Sequence, residues 1–141
     1  MFLLSSKVEY GILGVLALCL NAGQMSVRSI SEKENLSARF LEQAMNRLKE
    51  TGLIESVRGS YGGYRLAKEP RLIKLLDVIS AIEGKKKTVS SLTLSLKPEI
   101  LSEISSGAAA VLEDHLNAID FETLAQRVRT LQQEEALMFH I

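Results

Sequence analysis

Two short amphipathic segments separated only by Asn35-Leu36-Ser37 are the sequence feature that most constrains the fold. Asn tolerates the left-handed backbone that a sharp turn between two helices requires, and Ser37 can cap the helix that follows. That helix is predicted from about residue 38 to 51, because apolar residues recur there at helical spacing. They are Leu41, Ala44, Met45 and Leu48. The pattern is typical of a helix-turn-helix, although an ordinary helical hairpin with a solvated face fits this segment alone equally well.

A β-hairpin with a glycine-rich tip is predicted immediately after this helix. Residues 53–57 are prone to form a strand, residues 58–63 have the composition of a turn, and residues 64–66 form the returning strand. A helix-turn-helix followed by such a hairpin is a winged helix. Arg58 and Arg65 place positive charge at both edges of the tip, although a structural hairpin with merely solvated arginines is the alternative.

A first helix is predicted over residues 7–21, with Ser5 or Ser6 as its cap. It is apolar nearly all round, which is typical of a buried helix. Ser26 can cap the short helix that precedes the turn. We assign both helices to a winged helix-turn-helix domain over residues 1–84.

A fourth helix over residues 75–83 is predicted to cover this domain, and Gly84 ends it. Residues 85–97 are predicted to form a linker because they are rich in Lys, Ser and Thr. The lysine run at 85–87 is either solvated or in contact with phosphate.

Two more helices are predicted after the linker, the fifth ending between residues 117 and 119 and the sixth near residue 137. Pro98 fits the first turn of the fifth helix, and Asp120 can cap the sixth. The fifth helix has a wide apolar stripe outside a domain with its own core, which favours a two-fold dimer over folding back onto that domain. Residues 98–141 are therefore assigned to a helical dimerisation region, and the fold class is mainly α with a small β-hairpin wing (α+β). The predicted dimer interface consists of Leu101, Ile104, Ala108, Val111, Leu112, His115 and Ile119.

The composition is typical of an ordered protein with a basic N-terminal half. The formal net charge is zero, but its two halves differ. Residues 1–74 contain eleven Lys/Arg and seven Asp/Glu (+4), whereas residues 75–141 contain six Lys/Arg and ten Asp/Glu (−4). A basic half suits an anionic partner such as DNA. The single cysteine, Cys19, excludes a disulfide within the chain and fits a reducing cytoplasm. The apolar stretch 10–20 lacks a preceding positively charged segment and is too short to span a bilayer, so we expect a cytoplasmic protein without a membrane partner.

Several motifs follow one another in a fixed order through residues 1–84. They are Ser5-Ser6-Lys7 with Tyr10, Phe40-Leu41-Glu42-Gln43, Leu48-Lys49, Gly52-Leu53-Ile54, Val57-Arg58-Gly59, Gly62-Gly63-Tyr64-Arg65-Leu66, Leu76-Asp77-Val78-Ile79 and Ala81-Ile82-Glu83-Gly84. In this order and spacing they resemble the IscR/NsrR/CymR-type family of bacterial winged helix-turn-helix transcriptional regulators. The rest of the chain resembles that family only in architecture.

The resemblance implies a homodimer on a roughly palindromic operator, with the recognition helix in the major groove and a wing arginine in the minor groove. For many members it also implies an iron–sulfur cluster held by three cysteines in the loop after the fourth helix. Residues 84–98 contain no cysteine here, and one cysteine in the first helix cannot supply three thiolate ligands. We therefore expect no cluster of the family type, no metal and no other cofactor.

DNA contacts are predicted on the helix after the turn, on the wing and near the beginnings of the first helices. Phosphate contacts position the protein, whereas base edges specify the sequence. The residues predicted to contact the DNA backbone are Lys7, Tyr10, Arg28, Ser37, Arg39 and Lys49. The residues predicted to read bases are Glu42, Gln43, Asn46 and Arg47, because Gln and Asn pair with adenine, Arg with guanine and Glu with cytosine.

The predicted wing contacts centre on Arg58, which suits a narrow A·T-rich minor groove. Tyr61 at the tip either stacks on a sugar or is simply exposed. The other wing residues predicted to contact DNA are Gly62, Gly63 and Arg65.

The predicted function is a sequence-specific transcriptional regulator, a repressor, that acts as a homodimer on a palindromic operator. The alternative is a winged-helix module that docks a partner protein and does not read DNA. The sequence contains no phosphate loop, no metal-ligand spacing and no paired nucleophile and base, and it has only two histidines, His115 and His140. We therefore predict that the protein is not an enzyme. The signal is left open between Cys19 as a lone thiol sensor, a small-molecule effector near the linker, and no effector.

Overall fold

The computed structural model describes residues 4–21, 23–60, 62–84 and 98–139. Over these residues the chain forms α1 (Ser6–Leu20), α2 (Val27–Glu34), α3 (Ala38–Glu50), β1 (Ile54–Val57), β2 (Gly63–Leu66), a short 3-10 helix (Pro70–Leu72), α4 (Leu75–Glu83), α5 (Pro98–Asn117) and α6 (Phe121–Met138). The prediction of a mainly α fold with one β-hairpin wing is confirmed. The predicted linker, Tyr61 and His140 lie outside the described residues.

The helix-turn-helix forms where the sequence predicts it. Asn35 ends α2 in the left-handed region, with φ 53° and ψ 52°. The inner stripe of α3 is buried, with Leu41, Met45 and Leu48 fully inaccessible to solvent. Burying this stripe leaves the polar positions of α3 exposed to solvent.

The prediction that the Ser37 side chain caps α3 is wrong. Ser37 occupies the cap position, but its side chain makes no capping hydrogen bond. Its ψ is 120°, against 156° and 157° at Ser5 and Ser26, whose hydroxyl groups do cap their helices. The backbone N–H of Ser37 donates to the Tyr10 hydroxyl at 3.2 Å. The start of α3 is thus attached to α1.

The wing is attached to the start of α2 as well as to α3. β1 and β2 are antiparallel, with Glu55 opposite Arg65. Beyond the hairpin, the Met25 N–H donates to the Tyr64 carbonyl at 2.9 Å, and the Tyr64 N–H donates to the Met25 carbonyl at 2.8 Å. Gly63 is required at this crossing, because a Cβ there would lie 2.2 Å from the Met25 carbonyl oxygen.

The hydrophobic core continues into the C-terminal helices. Phe121 and Ala125 of α6 are buried in the same cluster as the inner stripe of α3. The Arg129 guanidinium donates to the Cys19 carbonyl oxygen at 3.4 Å, which further joins α6 to α1. Asp120 caps α6 as predicted, accepting from the Thr123 N–H at 2.9 Å. The core therefore crosses the predicted boundary between residues 1–84 and 98–141.

The C-terminal end of α5 packs against α4. Leu116 is buried with Val8 and Ile79 in a second, smaller cluster. Towards its N-terminal end and centre, Ile100, Ile104 and Val111 are 51%, 63% and 72% exposed. Part of the predicted apolar stripe therefore lies open to solvent in the single chain.

Phe121→Ala tests whether α6 belongs to this core. We expect the free energy of unfolding to fall by about 3–5 kcal/mol, the usual cost of removing a buried phenyl ring. Urea denaturation measures it, with Leu72→Ala, a change at a half-exposed position, as the control that should cost about 0.5 kcal/mol or less. Equal effects of the two substitutions would show that α6 does not contribute to the core.

Candidate nucleic-acid interface

The outer face of α3 carries the residues predicted to read bases. Every position between the buried ones is exposed, because the inner stripe fixes the rotation of the helix against α1. This exposed face, which we call the reading face, carries Glu42, Gln43, Asn46 and Arg47. Arg39 and Lys49, which were predicted to contact phosphate, are also exposed on α3.

A groove of about 740 Å³ joins this face to the beginning of α1. We call it the α1–α3 groove; Lys7 and Tyr10 line it from α1, and Gln43, Asn46 and Arg47 line it from α3. Five of the predicted DNA-contacting residues, far apart in sequence, are therefore brought to one concave surface. The groove presents two cations and two amide groups side by side, and the one carboxylate that lines it, Glu50, is 3.9 Å from Arg47. Such a surface suits phosphate and base-edge contacts together.

Three of the predicted arginines already form exposed ion pairs. Arg28 pairs with Glu32 at 3.0 Å, Arg47 approaches Glu50 at 3.9 Å, and Arg65 pairs with Glu55 across the hairpin. Exposed ion pairs contribute only about 0–1 kcal/mol each, so a DNA phosphate can replace the carboxylate at small cost. Within the described ranges the remaining predicted cations are without an ion pair, namely Lys7, Arg39, Lys49 and Arg58.

Tyr64 connects the wing to the reading face, a role that was not predicted from the sequence. Its hydroxyl donates to the Asn46 Oδ1 at 3.2 Å. Partial burial raises the pKa of Tyr64, and the negative charge of Glu42 raises it further, so the hydroxyl stays protonated and able to donate. An amide oxygen accepts two hydrogen bonds, so Asn46 can still pair with adenine while Tyr64 holds its orientation. The feature of the sequence that could have indicated this role is the position of Tyr64 directly after the two glycines of the wing.

The wing tip presents Arg58 in an exposed position directly after β1. Gly62 and Gly63 were predicted to approach DNA, but contacts within the protein already require a glycine at both positions. A Cβ on Gly62 would lie 2.6 Å from the Val57 carbonyl oxygen, and Gly63 crosses Met25 as described above. The glycines therefore shape the wing, and their presence does not by itself indicate a DNA contact.

None of the predicted dimer residues is fully buried in the single chain. Leu101, Leu112 and Ile119 are half-buried, and Leu112 packs against the smaller cluster. The residues of this set that remain exposed are Ile104, Ala108, Val111 and His115.

The helix-turn-helix, the attached wing and the exposed polar face of α3 together define a winged-helix DNA-binding protein. The chain belongs to the Rrf2 family, described as iron-dependent transcriptional regulators, whose sequence pattern matches residues 4–132. It is similar to the HTH-type transcriptional regulator CymR of Bacillus subtilis (strain 168), with 34% identity over 142 residues that cover 98% of this chain and 99% of that protein. It is also similar to the HTH-type transcriptional regulator IscR of Escherichia coli, with 42% identity over 82 residues that cover 57% of this chain and 51% of that protein.

Solved structures show the same likeness over most of the chain. CymR (YrzC), the global cysteine regulator of B. subtilis, superimposes with a TM-score of 0.71 at 33% identity, covering 90% of this chain and 98% of that one. T. potens IscR superimposes with a TM-score of 0.76 at 31% identity, covering 93% and 91%. The predicted family is confirmed, and DNA-binding transcriptional regulation is supported over a module that does not read DNA. None of the described helices is both long and apolar enough to cross a membrane.

The donor groups of this chain do not fit a cluster held by three cysteines. Cys19, the single cysteine, is buried in α1, and burial raises its pKa to about 11 against a smaller lowering effect of Arg129. A thiol with that pKa stays protonated at neutral pH and is a poor metal ligand. Among the described residues, no group of three or more His, Cys, Asp or Glu side chains is placed to hold a metal ion.

Tyr64→Phe tests the link between the wing and Asn46. Losing the donor should weaken binding to a preferred duplex by about three- to tenfold, the value of about one hydrogen bond, with little effect on a scrambled duplex. Fluorescence anisotropy on a duplex selected from a random-sequence pool measures both affinities. In an Asn46→Ala background the same change should have no effect, and an undiminished effect there would contradict the proposed link.

Proposed function

We propose that this chain is a homodimeric repressor that binds a roughly palindromic operator, with one α3 in the major groove of each half-site. The observation that supports this proposal most is the α1–α3 groove, which brings Lys7, Gln43, Asn46 and Arg47 to one exposed surface. Repression follows if the operator overlaps a promoter, because a protein that occupies both grooves excludes other proteins from the same site.

The proposed division of contacts follows from the position of each side chain. Lys7, Arg28, Ser37, Arg39 and Lys49 surround the reading face at exposed positions, where they suit phosphate. Base readout falls to the four exposed polar residues of α3, namely Glu42, Gln43, Asn46 and Arg47. Arg58 would enter the minor groove beside them.

The dimer proposal is supported by the uncovered side chains of α5. Three large aliphatic residues, Ile100, Ile104 and Val111, are each more than half exposed on one 20-residue helix. Contiguous exposed apolar surface of this kind marks an interaction site, and a second copy related by a two-fold axis covers both stripes at once. Such a dimer would place the half-sites about one helical turn, about 34 Å, apart.

We also propose that this regulator works without a cluster of the family type, since one protonated, buried thiol cannot supply three ligands. Protein purified without oxygen should therefore lack the visible absorption of an iron–sulfur cluster. It should bind its operator as tightly as protein purified in air. A cluster spectrum with stoichiometric iron would contradict this. The small-molecule effector remains one of the predicted options.

We also propose that the protein is cytoplasmic and has no catalytic activity. A cytoplasmic location follows from the DNA target and is tested by cell fractionation. The absence of catalysis is proposed because the relatives named above are transcriptional regulators, and a turnover found with purified protein would overturn it.

Arg58→Ala and Gln43→Ala separate the wing from the reading helix. We expect Arg58→Ala to weaken all duplexes alike and to lower the slope of log affinity against log salt by about 1, because one phosphate-region cation is lost. Gln43→Ala should weaken the preferred duplex by about 1–3 kcal/mol while hardly changing a scrambled one. Anisotropy titrations at several salt concentrations measure both. Arg127→Ala, at an exposed position of α6, is the control and should behave as wild type.

A finding that Arg58→Ala binds as tightly as wild type would remove the wing from the proposal. Failure of the wild type to bind any duplex at low salt would favour a protein-docking module instead.

Ile104→Glu tests the dimer. Placing a carboxylate on the exposed stripe of α5 should yield monomers in sedimentation equilibrium and weaken operator binding by at least tenfold, since half the contacts are lost. Ser102→Glu adds the same charge to another face of α5 and should leave the dimer intact. Dimers of unchanged stability in the Ile104 variant would place the interface elsewhere.

A further inference from the structure

Phe40 is an exposed aromatic residue on the reading helix that the proposed contacts do not use. Its side chain is 55% exposed, whereas the other large apolar residues of α3, Leu41, Met45 and Leu48, are fully buried. More than half of the Phe40 surface is therefore available to contact a partner.

The Phe40 ring is held in place from behind. The Tyr10 ring packs against it edge to face, with 6.3 Å between centroids and an angle of 71° between the planes. Tyr10 is itself fixed, because its hydroxyl accepts the hydrogen bond from the Ser37 N–H at the start of α3. The ring is therefore presented in a defined position, as a recognition surface requires.

Phe40 also shares the α1–α3 groove with the residues that read bases. Gln43 and Arg47 follow it at helical spacings of three and seven, so the three side chains lie along one side of α3. In a helix-turn-helix, the N-terminal residues of the second helix contact base edges in the major groove. Phe40 lies in the first turn of α3 and is thus placed towards that groove.

We propose that Phe40 reads thymine through its 5-methyl group, at a base pair next to the one read by Gln43. The thymine methyl is the apolar group that the major groove presents, and Phe is among the side chains that contact it. The inference rests on the proposed function, since it requires α3 to enter the major groove. It adds an apolar specificity residue to the polar set.

Replacing thymine with deoxyuridine tests this directly, because it removes the methyl group and leaves base pairing unchanged. Each thymine of a duplex selected from a random-sequence pool is replaced in turn, symmetrically in both half-sites. At one thymine per half-site, wild type should lose about three- to fivefold in affinity per methyl group, the value of burying one such group. Phe40→Ala should bind the original duplex more weakly and lose no further affinity at that replacement.

Two controls keep the outcome clear. Gln43→Ala should keep its sensitivity to deoxyuridine, and the thermal midpoint of Phe40→Ala should show that the variant is folded. Wild type that binds the selected duplex but responds to none of the replacements would overturn the inference and leave the proposed function standing. Phe40→Ala that stays as sensitive as wild type would also overturn it, whereas wild type that binds no duplex would instead refute the proposed function.

Discussion

The close packing of α3 on α1 is the constraint on which the rest of the structure depends. A Cβ on Gly14 of α1 would lie 2.8 Å from the Met45 sulfur, so the two helices meet where a larger side chain has no room. Leu41, Met45 and Leu48 are fully buried as a result, and the rotation of α3 is fixed. Because packing holds the inner face of α3 in one orientation, the outer face is held in one orientation too. The reading surface is therefore already formed in the absence of DNA.

The wing is fixed to this surface from two sides. Met25 pairs with the backbone of Tyr64 at the start of α2, while the Tyr64 hydroxyl reaches Asn46 on α3. One residue thus joins the hairpin to both helices of the helix-turn-helix. A rigid connection of this kind lowers the entropic cost of binding two grooves together, because wing and helix are already aligned. It also explains why the glycine before Tyr64 cannot be replaced without moving the wing.

Most of the fold could be predicted from the sequence because its elements are marked by local patterns. Helical spacing located α3, Asn35 marked the turn, and Asp120 marked the start of α6. The contacts that complete the site could not be predicted, since Tyr10–Ser37 and Tyr64–Asn46 join residues 27 and 18 positions apart. The predicted Ser37 cap is absent, and the contact that Ser37 does make, to Tyr10 of α1, is not indicated by any local pattern.

Two copies of this reading surface binding one duplex is what the proposed function requires. Hydroxyl-radical footprinting of the full chain, on a duplex selected from a random-sequence pool, measures this. We expect two protected segments, related by two-fold symmetry and separated by about one helical turn. A single asymmetric footprint, or an unprotected duplex at low ionic strength, would contradict it.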